Sequence, residues 1–359
     1  MDVRHRAAFS TLPIFLSIGA YVFTSSVLFT WIDRDVNLIN WCNAAIALGA
    51  IFMGFLSDSL CRRKMLIFIH CVAPILLTLC YLMPTVSVFY VLLCFVYNPL
   101  STVRANLIDN TQEYSKIKLI SYSFMIQFLP DSFYVFFQDI HFDIAYLSAM
   151  GAMLLSLSVG LVFFFDRRDE KIKHESMIAK IAFFAPQTRP RALLTFIAFI
   201  PTQIAYFISD NFLDADTLNP LYYSILSFGS LLGAGLSSLY KKTPHVSVLT
   251  IAYGVAFLVS VLPLGTEFLY GYRQLNVPYM FIALGTLLGF YISFVYDVIL
   301  HSVAKHFRGT ACGILDFVYS GASLITLISS SFLAQNLSWT LVAIAVAFAV
   351  ALAVQKRAE

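Results

Sequence analysis

The chain alternates long apolar runs with short polar breaks. Runs of about 20 residues, the length that crosses the hydrocarbon core of a bilayer, fall at 9–31, 38–57, 65–83, 86–107, 117–137, 142–165, 191–212, 218–240, 246–268, 276–300, 309–332 and 337–354. A backbone in lipid must satisfy its own polar groups, so each run reads as a helix. The pattern predicts an all-α polytopic membrane protein with twelve transmembrane helices. The fifth run is the most broken, because Gln127, Pro130 and Asp131 interrupt it.

Composition agrees with lipid as the main solvent. Apolar residues make up 59% of 359 positions and charged residues 12%, with a mean hydropathy of +0.80. A soluble domain holds roughly 45–50% apolar and about 25% charged residues. The charge is also sorted. With the N-terminus inside, all but two of the 23 lysines and arginines fall on one side, the exceptions being Arg34 and Arg273. Cations gather on the cytoplasmic face of membrane proteins, so both termini are expected there, in a bacterial inner membrane. Removing or adding one helix would destroy this sorting. The one long polar segment divides the chain into an N-terminal six-helix bundle (1–165), a cytoplasmic linker (166–190) and a C-terminal six-helix bundle (191–359).

Catalysis has no foothold. There is no Gly-rich phosphate loop, no H-E-x-x-H and no nucleophile beside a base, so no catalytic residue, metal site or cofactor is expected. The six cysteines lack C-x-x-C spacing and read as packing residues. The expected partners are a small-molecule substrate, protons in a coupled version, and the lipid bilayer. Nucleic acid is not among them, and the chain is expected to act as a monomer.

One break is unlike the others. Gly54-Phe55-Leu56-Ser57-Asp58 closes the second run, and Arg62-Arg63-Lys64 opens the third. Shifted by 179 residues, Gly54 lies over Gly233, Ser59 over Ser238, Leu60 over Leu239, and Arg62-Arg63 over Lys241-Lys242. The two halves are therefore related, although Asp58 falls on Ser237 and only the first half carries the acid. A parallel repeat of two six-helix halves puts a substrate site between them, near the midplane.

The break resembles the loop between helices two and three of major facilitator superfamily transporters. That pattern is glycine, any, apolar, small, aspartate, basic, any, glycine, basic, basic. Gly54, Leu56, Ser57, Asp58, Arg62 and Arg63 match it, while Ser59 stands where a cation is usual and Cys61 where glycine is usual. The resemblance implies that Asp58 sits against the N-terminus of the eleventh helix, here Arg308-Gly309-Thr310, and locks the cytoplasmic side. An anion at such a terminus is worth roughly 0.3–2 kcal/mol. The glycine-rich motif of drug/proton antiporters is missing from the fifth run, and the first run holds no acid, which is the commonest cation site of symporters in this family.

Charges inside the spans are the next candidates, since a buried charge in lipid defaults to a functional hypothesis. Asp131 on the fifth run is the first choice for coupling, with Gln127 one turn away on the same face. Asp297, with His301 one turn on, and Asp316 lie at similar depth, about 9–11 Å from the cytoplasmic ends of their helices. The two acids either share a proton, or pair with Arg104 of the fourth run, or form a gate without coupling. Tyr21, Asn98, Gln203 and Tyr291 are candidates for contact with solute, because they lie near the midplane on helices that line the cavity in this family.

The function these observations imply is secondary active transport of a small polar solute by alternating access, with proton coupling and facilitated diffusion both open. The alternative is a non-transporting sensor or assembly protein on the same fold. The topology is tested by single cysteines. One in 166–190 is expected to react only with reagent on the cytoplasmic side and one beside Asp214 only from outside; labelling of both from one side overturns the twelve-helix arrangement.

Overall fold

The computed structural model describes residues 3–32, 36–60, 62–110, 116–133, 136, 141–164, 195–200, 203, 220–240, 250–251, 254, 267–335 and 337–358. The expected linker at 166–190, Cys61, and most of the seventh and ninth runs lie outside the described residues. Within them the helices are α1 (Val3–Ile32), α2 (Val36–Ser59), α3 (Arg62–Leu82), α4 (Ser87–Val96), α5 (Leu100–Asn110), α6 (Lys116–Asp131), α7 (Phe142–Phe164), α8 (Pro220–Ser237), α9 (Glu267–Ser302), α10 (Arg308–Gln335) and α11 (Leu337–Ala358). A single 3-10 turn, Lys305–Phe307, leads into α10.

Three boundaries depart from the sequence pattern. The fourth run is two helices rather than one, broken at 97–99. Pro99 has no N–H to give and disfavours helical geometry at the residue before it. The Asn98 amide nitrogen instead donates to the Ile46 carbonyl of α2 at 2.9 Å, and the helix resumes where Val103 N–H donates to Pro99 O at 2.8 Å. The fifth run stops at Asp131, so the acid ends the helix and does not interrupt it. The tenth starts at Glu267 and absorbs the stretch expected as an outer loop, Arg273 included.

The helices show lipid an apolar face and keep polarity inside. Trp41, Phe68, Ile75, Leu82 and Leu147 point outward, whereas Arg104, Asn98, Gln203, Asp58 and Asp316 are buried. Five segments among the described residues are long and apolar enough to cross a membrane: Asn37–Ser59, Lys64–Leu82, Ser87–Asp109, Asp143–Gly160 and Phe281–Ser302. The chain is an integral membrane protein. One core draws on residues from Ile14 to Met153. The other runs from Phe199 to Phe348 and also takes in Ile108, Ile120, Phe124 and Phe128 from α5 and α6.

Glycine sets how close the helices come. In lipid, small residues let helix backbones touch. Gly229 and Gly233 of α8 face the backbone of Ile282 and Thr286 on α9, and Gly285 and Gly289 of α9 face Leu226 and Ser230 in return. On α2, Gly54 meets Gly309 and Gly313 of α10, while Gly49 meets Phe95 of α4. Besides these pairs, α6 packs on α8 and α9, and α5 packs on α10.

This packing predicts opposite effects at two glycines. Gly233→Leu would drive a side chain into the α9 backbone, and overpacking of this kind costs about 1–3 kcal/mol. Nothing lies within 4 Å of a Cβ at Gly151, so Gly151→Ala is expected to stabilise by about 0.5–1 kcal/mol through helix propensity. Thermal unfolding in detergent reads both signs.

Candidate functional site

Two charge clusters among the described residues share α5 and α10 at different depths, the first partly buried and the second fully buried. The first lies at the cationic end. Asp58, in the last turn of α2, accepts from Gly309 N–H at 3.0 Å and Thr310 N–H at 2.6 Å, and from the Thr310 hydroxyl at 2.9 Å. The first N–H groups of a helix have no partner within it, and the aligned peptide dipoles favour an anion at this point. Asp58 thus caps α10 from another helix. Gly309 makes room for this, because a Cβ there would run into Ser57 Oγ and Asp58 Oδ1.

Arg62, the first residue of α3, extends the cap into a network. It donates to Asp58 at 2.8 Å, to the Lys305 carbonyl at 2.8 Å and to the Ala105 carbonyl at 3.2 Å. It also pairs with Asp109 of α5, whose other carboxylate oxygen accepts from Arg308. The chain Asp58–Arg62–Asp109–Arg308 therefore ties α2, α3, α5 and α10 together. Arg63 lies in α3, with its side chain outside the described positions.

The second cluster is deeper. Arg104 of α5 is only 1% exposed and donates to Asp316 of α10 at 2.7 Å. Its other terminal nitrogen donates to Gln127 of α6. The guanidinium also lies over two rings, with Phe124 at 4.2 Å and Tyr296 at 5.0 Å, where the electron-rich faces attract a cation. The Tyr296 hydroxyl donates to the same Asp316 oxygen at 2.5 Å. Two atoms of the pair, Arg104 Nε and Asp316 Oδ2, have no hydrogen-bond partner among the described residues.

The remaining candidates are scattered. Asp131 is partly exposed at the end of α6 and accepts from Ser26 of α1 at 2.7 Å, so it and Gln127 serve different partners. Asp297 lies 3.0 Å from the His301 ring on its own helix and does not share Asp316's partners. Tyr21 packs edge-on against Tyr97, with ring centres 5.5 Å apart. Asn98 holds the α4–α5 break to α2 through its side-chain amide nitrogen, and its buried side-chain oxygen has no hydrogen bond among the described residues. Gln203 is fully buried, with no hydrogen bond at either amide atom among the described residues. Tyr291 stacks on Phe199 at 6.4 Å. His70 is buried and shares a 2.9 Å hydrogen bond with the Ser17 hydroxyl.

Sequence reasoning missed Asp109, Tyr296 and Phe124. Asp109 carried one usable signal: it is an acid at the end where cations collect, five residues beyond the one arginine inside the fourth run.

The fold is that of major facilitator transporters. The human organic anion transporter MFSD10 (TETRAN) superposes with a TM-score of 0.69 at 11% identity, covering 98% of this chain and 99% of that one. A variant of the E. coli fucose:proton symporter FucP superposes with a TM-score of 0.71 at 11% identity, covering 99% and 98%. No protein-family model and no curated protein matches the sequence.

The cap can be tested on its own. Hydrogen bonds to a charged group contribute roughly 1.5–3 kcal/mol, and each 1.4 kcal/mol is about a tenfold change in an equilibrium. Asp58→Asn is therefore expected to shift the cationic end toward open by roughly ten- to a hundredfold in population. Spin labels at Leu60→Cys and Leu239→Cys, both exposed at that end, report it. An unchanged distance distribution would leave Asp58 as a helix cap with no part in opening.

Proposed function

We propose that this chain is a secondary transporter that moves a small polar solute by alternating access between two six-helix halves, 1–165 and 191–359, joined by a cytoplasmic linker at 166–190. The cationic end faces the cytoplasm, and the protein works as a monomer. The observation that carries this reading is the Arg104–Asp316 pair: a salt bridge buried between α5 and α10, where the two halves meet. The fold likeness to two transporters supports it. A scaffold without transport gains nothing from such a centre, since replacing a buried ion pair by apolar packing is often neutral or stabilising by about 1–4 kcal/mol.

Proton coupling belongs to the same reading, and one of the two neighbours in fold is named as a proton symporter. An acid couples only if its affinity for the proton differs between the two access states. Asp131 contacts α1, within its own half, and that contact need not change as the halves move. Asp316 contacts α5 across the halves, and that contact must change. Coupling is therefore assigned to Asp316 ahead of Asp131, with Asp297 and His301 serving the cytoplasmic end.

In proteoliposomes the Leu60–Leu239 distance is expected to occupy two populations whose ratio moves with pH. Asp316→Asn should remove the pH response and Asp131→Asn should keep it. A single fixed distance under all conditions overturns the transporter reading, and loss of the response in Asp131→Asn alone moves coupling to the α1–α6 contact.

A further inference from the structure

The chemistry of the central pair goes further and, resting on the transporter reading, names the class of solute. Arg104 is the one buried lysine or arginine among the described residues. Its countercharge is weakly fixed: Asp316 reaches it through a single oxygen, and among the described residues one nitrogen of the guanidinium and one oxygen of the carboxylate have no hydrogen bond. From this point a row of buried, mutually packed rings leads away. Phe124 meets Tyr296 edge-on at 5.0 Å, Tyr296 meets Phe199 at 6.4 Å, and Phe199 stacks on Tyr291 at 6.4 Å. Gln203, four residues after Phe199 in sequence, is fully buried, and neither atom of its amide has a hydrogen bond among the described residues. Buried polar atoms left unpaired cost roughly 1–3 kcal/mol each, and a ligand that pairs them recovers it.

The pair is not symmetric in what it tolerates. A carboxylate can gain a proton, but a guanidinium does not lose one in a protein. A cationic solute on Asp316 would leave Arg104 uncompensated with no way to discharge it. An anionic solute on Arg104 leaves Asp316 uncompensated only until it takes up a proton. Before binding, the centre holds one positive and one negative charge. With an anion and a proton added, it holds Arg104, the anion and a neutral acid, so the net charge is again zero. Adding the anion alone or the proton alone leaves a buried net charge, which is far more costly in low dielectric.

We propose that the solute is an organic anion with a flat, ring-sized body, and that it is carried with one proton. Its carboxylate takes the place of Asp316 on Arg104, its body lies along Phe124, Tyr296, Phe199 and Tyr291, and the proton resides on Asp316, which still accepts from the Tyr296 hydroxyl. Among the described residues, Arg104 from α5 and Tyr296 from α9 hydrogen-bond Asp316, while Cys312, one turn earlier on α10, and Tyr21 of α1 are near enough to feel its charge. Helix α2 brings nothing titratable between Cys42 and Asp58, and α11 brings nothing before Lys356. Among the described residues, Arg104 is thus the only cation paired with Asp316.

The test is thermal unfolding of the purified full chain with four probes, benzoate, benzamide, benzylamine and acetate, between pH 5.5 and 8. Benzoate is expected to raise the unfolding temperature, with an apparent affinity that falls about tenfold per pH unit as the co-bound proton is withdrawn. Acetate binds more weakly, and benzamide and benzylamine do not bind. Asp316→Asn, which mimics the protonated acid, is expected to bind benzoate with no pH dependence, and Arg104→Gln to bind none. Should Arg104→Gln fail to fold, Arg104→Lys is expected to retain weaker benzoate binding with the same pH slope. Preference for benzamide or benzylamine, or benzoate binding that ignores pH in the wild type, overturns the proposal. If the Leu60–Leu239 distance responds to pH while benzoate does not bind, the solute class is wrong and the transporter reading stands. If neither responds, both fall.

Discussion

The structure depends on a carboxylate sitting at the start of a helix that belongs to another part of the chain. Asp58 gives α10 the hydrogen-bond acceptors its first turn cannot find within itself, and it does so with both oxygens, at distances of 2.6 to 3.0 Å. Such a cap is directional. It fixes α2 against α10 at one register, the one where Gly54 reaches Gly309 and Gly313. The glycines and the acid need each other: without the close approach the carboxylate would not reach the amides, and without the carboxylate the buried amides would go unpaired. Arg62 then balances the charge of Asp58 and draws Asp109 and Arg308 into the same cluster.

The deeper pair obeys a different balance. Removing one partner of a buried ion pair costs about 3–5 kcal/mol, yet the intact pair contributes little net stability against an apolar replacement. Arg104 and Asp316 are therefore poor mortar. They behave as a specific contact that must be either made or exchanged for another, and the two rings beside Arg104 soften that exchange by offering the cation a partial substitute. This is what a site requires if it must bind a solute and then release it, since a charge held too well on one side would never be handed over.

How much of this was legible in the sequence depends on what each feature rests on. Run length alone gives α2, α3 and α7 to within about three residues, because lipid allows little else than a helix of that length, while α1 begins six residues before its run. The break in the fourth run was readable at Pro99, yet the apolar residues around it hide how Asn98 repairs it on α2. The repeat was legible as residue identity and misleading as geometry. Gly54 overlies Gly233 in the alignment, but Gly54 faces α10 while Gly233 faces α9. In packing, the counterpart of Gly233 and Gly229 in the first half is Gly49, which faces Phe95 of α4. Depth was legible too, but not direction. Helix rise puts Asp297 and Asp316 at similar depth, and only the rotation of each helix decides that Asp316 meets Arg104 while Asp297 stays with His301. Asp109 lay hidden because Asp109-Asn110-Thr111-Gln112-Glu113 reads as a wetted loop.

The gate and the centre share two helices, and that sharing explains how one could sense the other. Arg104 and Asp109 both stand on α5, about 7.5 Å apart along its axis at 1.5 Å per residue. Thr310 and Asp316 both stand on α10, about 9 Å apart. A helix of this length moves as a rigid element, so a displacement of α10 past α5 that loosens Arg104 from Asp316 also strains Asp109 against Arg308 and Asp58 against Thr310. No separate relay of side chains is needed, because both contacts report the same relative position of two rods. Coupling in this sense is a shared two-state element that each site biases. The size of the bias is set by how differently each contact is satisfied in the two positions. The gate contributes most to the closed position, where every one of its charges has a partner. The centre contributes to whichever position lets Arg104 keep a counter-anion.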